Sequence, residues 1–149
     1  MIVTTDHGGS GGVRELRLNR PPVNALTPEL VAALHEAVTR APGEGARALV
    51  LSGSPGRFSG GLDVPILIGF DRAAMEKLWE DFYRLLLAFA ASPIPIAAAI
   101  TGHSPAGGAV LATYCDYRIL AEGEFRIGFN EVQVGIPMPP AILRCVARL

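Results

Sequence analysis

Two pairs of adjacent glycines, Gly60-Gly61 and Gly107-Gly108, each stand a few residues after a short apolar run, the first ending at Leu51 and the second at Ile100. A chain that leaves a strand through glycine presents free backbone N–H groups, and the second pair also opens a helical pattern, whose first amides have no partner inside the helix. Two such donors converging on one carbonyl oxygen would form an oxyanion hole, each contributing about 2.7–4 kcal/mol of transition-state stabilisation. The same glycines would equally serve tight turns and close packing, and the pattern alone leaves both readings open. His103 lies in the second glycine loop, where a general base could stand, but a histidine held by local loop contacts fits as well. Read without context, Glu131 is a surface acid at a loop or between two strands. Cys115 and Cys145 sit in apolar stretches with neither CxxC nor Cys/His spacing, so both are expected to be reduced core residues and no metal site is expected.

The elements that must position these residues are legible in outline. Residues 2–5 and 13–18 are β-type runs around Gly8, Gly9, Gly11 and Gly12 and read as a hairpin. Thr27, Pro28 and Glu29 supply an N-cap, a proline at the first helical position and an acid in the first turn, so a helix is expected to about Arg40. A buried strand over 48–51 runs into a turn over 52–56 and then into Phe58-Ser59-Gly60-Gly61-Leu62-Asp63. Apolar residues at helical spacing predict a long helix over 71–91, ended by Ser92-Pro93-Ile94-Pro95, with Trp79, Phe82 and Phe89 expected to pack into the core. Residues 96–100 read as a buried strand, 102–106 as a loop, 107–114 as a tightly packed helix, and 117–121 and 125–128 as two short strands. The pattern over 141–149 is helical and stops without a cap, which leads us to expect a fragment, or a chain lacking a C-terminal part carried by its relatives.

With 149 residues, 50% hydrophobic and 18% charged, the chain can bury one core, and a single domain over 1–149 is expected. A formal net charge of -1 gives no general attraction to nucleic acid or to an anionic membrane, so any anion site must be local. The first residues lack the basic start and apolar run of a signal peptide, and no apolar stretch reaches bilayer length, so the cytoplasm is the expected compartment.

Five segments in order resemble the landmarks of the crotonase (enoyl-CoA hydratase/isomerase) superfamily. They are Asn19-Arg20-Pro21-Pro22-Val23-Asn24-Ala25-Leu26, the Phe58 to Asp63 loop, Ala99 through Gly108, Cys115-Asp116-Tyr117-Arg118-Ile119, and Gly128-Phe129-Asn130-Glu131 with Gly135-Ile136-Pro137. The Pro-Ala-Gly-Gly and Phe-Asn-Glu segments look most like the mitochondrial-type Δ3,Δ2-enoyl-CoA isomerases of that superfamily. The resemblance implies an α/β fold, a spiral of strand-strand-helix turns, with a C-terminal helical region missing or incomplete here. It implies that the amides of Gly60 and Gly107 hold a thioester oxygen and that Glu131 is the catalytic carboxylate. Ser59, Gly61, Leu62 and Asp63 match the loop that lines the bound acyl-CoA. Asp116 is expected to be structural, and Arg20 and Arg57 are candidates for the CoA phosphates.

One departure from the family pattern bears on the reaction. Hydratases of the superfamily carry a second glutamate three residues after the glycine of the second amide, and that position here is Val110. Hydration of a 2-enoyl thioester needs water activated at C3 and a proton delivered to C2, work shared there by two carboxylates. Moving a double bond from C3–C4 to C2–C3 needs only one group that takes a proton from C2 and returns it to C4. A lone acid does this best where apolar surroundings make both protonation states accessible. The resemblance therefore points to a 3-enoyl-CoA isomerase without metal or redox cofactor, coenzyme A being part of the substrate, assembled as a homotrimer or a dimer of trimers if the C-terminal region is not required for assembly. Hydration, another crotonase reaction, and a non-catalytic CoA-binding fragment are the alternatives.

Overall fold

A computed structural model describes residues 1–8, 12–135 and 137–148. The sequence positions Gly9, Gly11, Ile136 and Leu149, which entered the expectations above, lie outside the described residues. Strands β1 (Ile2–His7) and β2 (Val13–Leu18) form the expected antiparallel hairpin, with β1 two residues longer than its apolar run because pairing continues to His7 opposite Val13. The imperfect alternation of β2 still resolves into two faces: Leu16 and Leu18 are buried and Val13 is exposed. Helix α1 (Pro28–Arg40) starts where its cap residues say, the Thr27 hydroxyl accepting from the Leu30 amide at 3.3 Å.

From β3 onward one unit recurs. Strand β3 (Ala48–Ser52) is followed by the two-residue β4 (Gly56–Arg57), the short helix α2 (Val64–Leu67) and the long helix α3 (Arg72–Ala90). Strand β5 (Ile96–Ile100) is followed by β6 (Gly102–Pro105) and helix α4 (Gly107–Thr113). Strand β7 (Tyr117–Leu120) is followed by β8 (Ile127–Gly128) and a 3-10 helix over Glu131–Val134, before α5 (Pro140–Val146). The first strand of each unit joins a five-stranded sheet in the order β1-β2-β3-β5-β7, and the second joins a three-stranded sheet in the order β4-β6-β8. All pairs after the hairpin are parallel. This is the strand-strand-helix spiral of the crotonase fold.

Within the segment 102–106, expected to be a loop, Gly102–Pro105 form the strand β6, and the sequence gives no sign of α2. Gly-His-Ser-Pro has neither alternation nor β-branched residues, so nothing local announces a strand; its extended form comes from pairing with β4 and β8. Gly102 permits that pairing by lacking a side chain, since a Cβ there would stand 2.0 Å from the Gly56 carbonyl carbon.

The core lies between the large sheet and the α1–α3 layer, with Leu16, Leu30, Leu34, Leu51, Phe82 and Leu85 fully buried. Each such side chain contributes about 1.5–3 kcal/mol from burial. Asp116 is structural as expected, its carboxylate accepting from the Ile96 amide at 2.7 Å where β5 begins. Among the described residues no helix is long and apolar enough to cross a membrane.

The two thiols differ in environment. Cys115 is buried in the core, and loss of hydration pushes its pKa up to about 12, whereas Cys145 is half-buried on α5. The folded pKa lies above that of a free thiol, so this contribution to stability is complete below about pH 8.5 and falls away as pH rises toward the folded value. Alkylation of native protein at pH 8, followed by mass spectrometry, is expected to modify Cys145 at least about 100-fold faster than Cys115. Comparable rates would show that Cys115 is not held in a dry core.

Candidate active site

The loop that leaves β4 is fixed from behind by Asn24. This residue is 1% exposed and adopts a left-handed backbone with φ 52°. Its side-chain amide donates to the carbonyls of Phe58 at 3.1 Å and Arg57 at 3.3 Å, while its Oδ1 accepts from the Arg20 amide at 2.8 Å. The Ser59 hydroxyl donates to the Asn24 carbonyl at 2.9 Å and accepts from the Gly61 amide at 3.2 Å. In the sequence Asn24 is one residue of the first landmark segment, and its left-handed φ, which Asn tolerates better than most residues, is not visible there. Asn24→Ala removes three hydrogen bonds, one of them buried and two part-buried, and keeps the strained backbone, and is expected to lower stability by about 2 kcal/mol in chemical denaturation. A change below about 0.5 kcal/mol would mean the loop holds itself.

Hydrogen bonding then decides which amides are free. Gly60, expected to be a donor, gives its N–H to the Val23 carbonyl at 2.7 Å, so the expectation for Gly60 is corrected. The Leu26 amide donates to the Gly61 carbonyl at 2.7 Å, and the Asp63 amide donates to the Leu26 carbonyl at 3.1 Å. Along an extended chain successive amides face opposite sides, so these two bonds turn the N–H of Leu62 away from Leu26. Among the described residues the Leu62 amide has no acceptor. Nor has that of Gly107, the first residue of α4, which follows Ala106 in a left-handed turn with φ 48°. The two nitrogens are neighbours: a Cβ built on Gly107 would lie 3.3 Å from the Leu62 nitrogen, and one built on Gly61 would lie 3.0 Å from the Gly107 nitrogen.

Leu62 and Gly107 line a cavity of about 130 Å³ together with Glu131. Val64, Trp79, Phe82, Val110 and Ile142 give the rest of the wall its apolar character. Among its lining residues Glu131 is the ionisable one, placed there by the 3-10 helix that Gly135 ends in a left-handed turn with φ 74°. The Oε2 of Glu131 and the Oδ1 of Asn130 are buried and have no hydrogen-bond partner among the described residues. An uncompensated buried carboxylate oxygen costs stability, and such costs concentrate where a group awaits a ligand. Val110, 1% exposed, presents an alkyl wall where a second carboxylate would have stood. The site thus offers two backbone donors, one carboxylate and an apolar chamber.

A family model described as enoyl-CoA hydratase/isomerase matches residues 8–148. The chain belongs to the enoyl-CoA hydratase/isomerase family. Mouse mitochondrial enoyl-CoA delta isomerase 1 is 34% identical over 142 residues, covering 93% of this chain and 48% of that protein. A putative enoyl-CoA hydratase of Thermus thermophilus is 35% identical over 130 residues, covering 84% of this chain and 51% of that protein. The crystal structure of human mitochondrial delta3-delta2-enoyl-CoA isomerase superposes with a TM-score of 0.91 at 32% identity, covering 97% of this chain and 57% of that one. The chain spans about half the length of the curated relatives it matches.

Within this enoyl-CoA hydratase/isomerase chain the other expected residues are dispersed. Of Ser59, Gly61, Leu62 and Asp63, Leu62 lines the cavity; Ser59 and Gly61 are held in the Asn24 network, and Asp63 pairs with Arg20 at 2.8 Å. That ion pair already engages one of the two arginines considered for the CoA phosphates; the other, Arg57, is exposed. His103, expected in a loop, lies on β6, where its Nδ1 accepts from the Arg126 amide at 3.0 Å.

Proposed function

We propose that this chain binds 3-enoyl-CoA thioesters and moves their double bond to the 2-position. The reading rests on one observation: a single ionisable side chain, Glu131, shares an apolar cavity with two free amides, and the wall at Val110 is alkyl. The Leu62 and Gly107 amides would hold the thioester oxygen. Glu131 would remove a proton from C2, the resulting dienolate charge would settle on the held oxygen, and the same carboxylate would deliver the proton to C4. Proton transfer changes no oxidation state, so the reaction as written calls on no redox cofactor or metal, and coenzyme A enters as part of the substrate. Assembly as a homotrimer or dimer of trimers belongs to the same proposal and is checked by light scattering.

Relatives named as hydratases make hydration the competing reaction. Parallel assays of the chain on trans-3-enoyl-CoA and trans-2-enoyl-CoA separate the two. The proposal requires turnover of the first substrate with little hydration of the second; the reverse order of rates would refute it. Binding of acyl-CoA with no turnover of either would instead support a non-catalytic CoA-binding role.

A further inference from the structure

The apolar part of the cavity has a wall whose largest side chain is replaceable. Trp79, the only tryptophan of the chain, lies on α3 one turn before Phe82, and both line the cavity that contains Glu131. The two rings meet edge to face with centroids 6.1 Å apart, and on its other flank the Trp79 indole leans on Tyr83, also at 6.1 Å. Phe82 is 1% exposed and belongs to the core, whereas Trp79 is half-buried and packs against that core from outside. Phe82 therefore cannot be shortened without opening the core, but the volume that Trp79 occupies can be. The sequence pattern assigns both rings to core packing; only the fold shows that one of them also faces the chamber.

Resting on the acyl-CoA reading above, we infer that Trp79 sets the length of acyl chain the cavity admits. A dry cavity of about 150 Å³ is enough for a six-membered hydrocarbon ring, so the space here suits a chain of about six carbons. Once the thioester oxygen is held at Leu62 and Gly107, a longer chain has to displace the indole. Its ring contacts with Phe82 and Tyr83 oppose that movement.

The test uses saturated acyl-CoAs from butanoyl to decanoyl, which bind without reacting, so it does not depend on isomerase turnover. Because Trp79 is the sole indole, its emission reports contact with the acyl chain directly. Hexanoyl-CoA should shift that emission to shorter wavelength, and decanoyl-CoA should bind wild type no more tightly than hexanoyl-CoA. Each additional methylene that finds apolar burial raises affinity about fourfold, so calorimetry on Trp79→Ala should show decanoyl-CoA binding at least about tenfold tighter than hexanoyl-CoA. Trp79→Leu, which keeps apolar packing on α3, should show a smaller shift in the same direction and carries the test if the alanine variant does not fold. Acyl-CoA binding with unchanged tryptophan emission, or with the same decanoyl-to-hexanoyl ratio in wild type and variants, overturns the inference while leaving the proposed function standing. Failure of every acyl-CoA to bind more tightly than free CoA removes the proposed function and the inference together.

Discussion

Glu131→Gln is expected to lower kcat on 3-enoyl-CoA by about 10²–10⁴-fold, with KM changing far less. Glutamine keeps the shape and one carbonyl oxygen of the original side chain but has no proton to exchange at working pH, so binding survives while transfer from C2 to C4 does not. The same change should leave stability within about 0.5 kcal/mol or raise it, because the buried Oε2 that it replaces has no partner to lose among the described residues. Stopped assays on the two enoyl-CoA isomers and a denaturation curve measure both quantities. A variant that retains more than a tenth of wild-type turnover would remove Glu131 from the chemistry.

Gly61→Ala is expected to cost about 10²–10³-fold in kcat, the loss seen when one oxyanion donor is removed. Its methyl would stand 3.0 Å from the Gly107 nitrogen, 3.1 Å from the Ala106 Cβ and 3.2 Å from the Pro105 carbonyl oxygen, on a backbone with φ +80°. The left-handed backbone adds about 1–2 kcal/mol of strain, so the loop shifts in the direction that parts the two amides. Gly60→Ala is the informative control. Its methyl meets the Val23 side chain at 3.1 Å, which can give way, and its own amide is committed to the Val23 carbonyl. It should keep turnover within about tenfold, or ~1.4 kcal/mol, of wild type. Equal losses in the two variants would contradict the assignment of the donor to Leu62.

How much of this was legible beforehand varied with the range of the interaction. Local chemistry announced itself: Thr27, Pro28 and Glu29 mark the start of α1, the apolar periodicity of α3 is plain, and the ordered landmarks from Asn19 to Glu131 bring the family's fold and its carboxylate with them. The strand β6 did not, because Gly-His-Ser-Pro is extended only by the partners on either side of it. The unpartnered amide lies two residues beyond Gly60 for a related reason. Gly60, Gly61 and Leu62 all carry an N–H, and which one stays free depends on acceptors at Val23 and Ser59 and on the Leu26 backbone bridge, all distant in sequence or set by loop geometry.

The amino-acid sequence by itself determined the kind of molecule: the order of its landmark segments implies an α/β spiral with two glycine turns, since residue type and order survive without coordinates. Tertiary structure alone decided which amide beside the chamber is left without an acceptor, that Arg20 pairs with Asp63, and that Trp79 borders the site as well as the core. Each of those outcomes depends on the direction of a hydrogen bond or a side chain, and direction is fixed only when distant segments pack together.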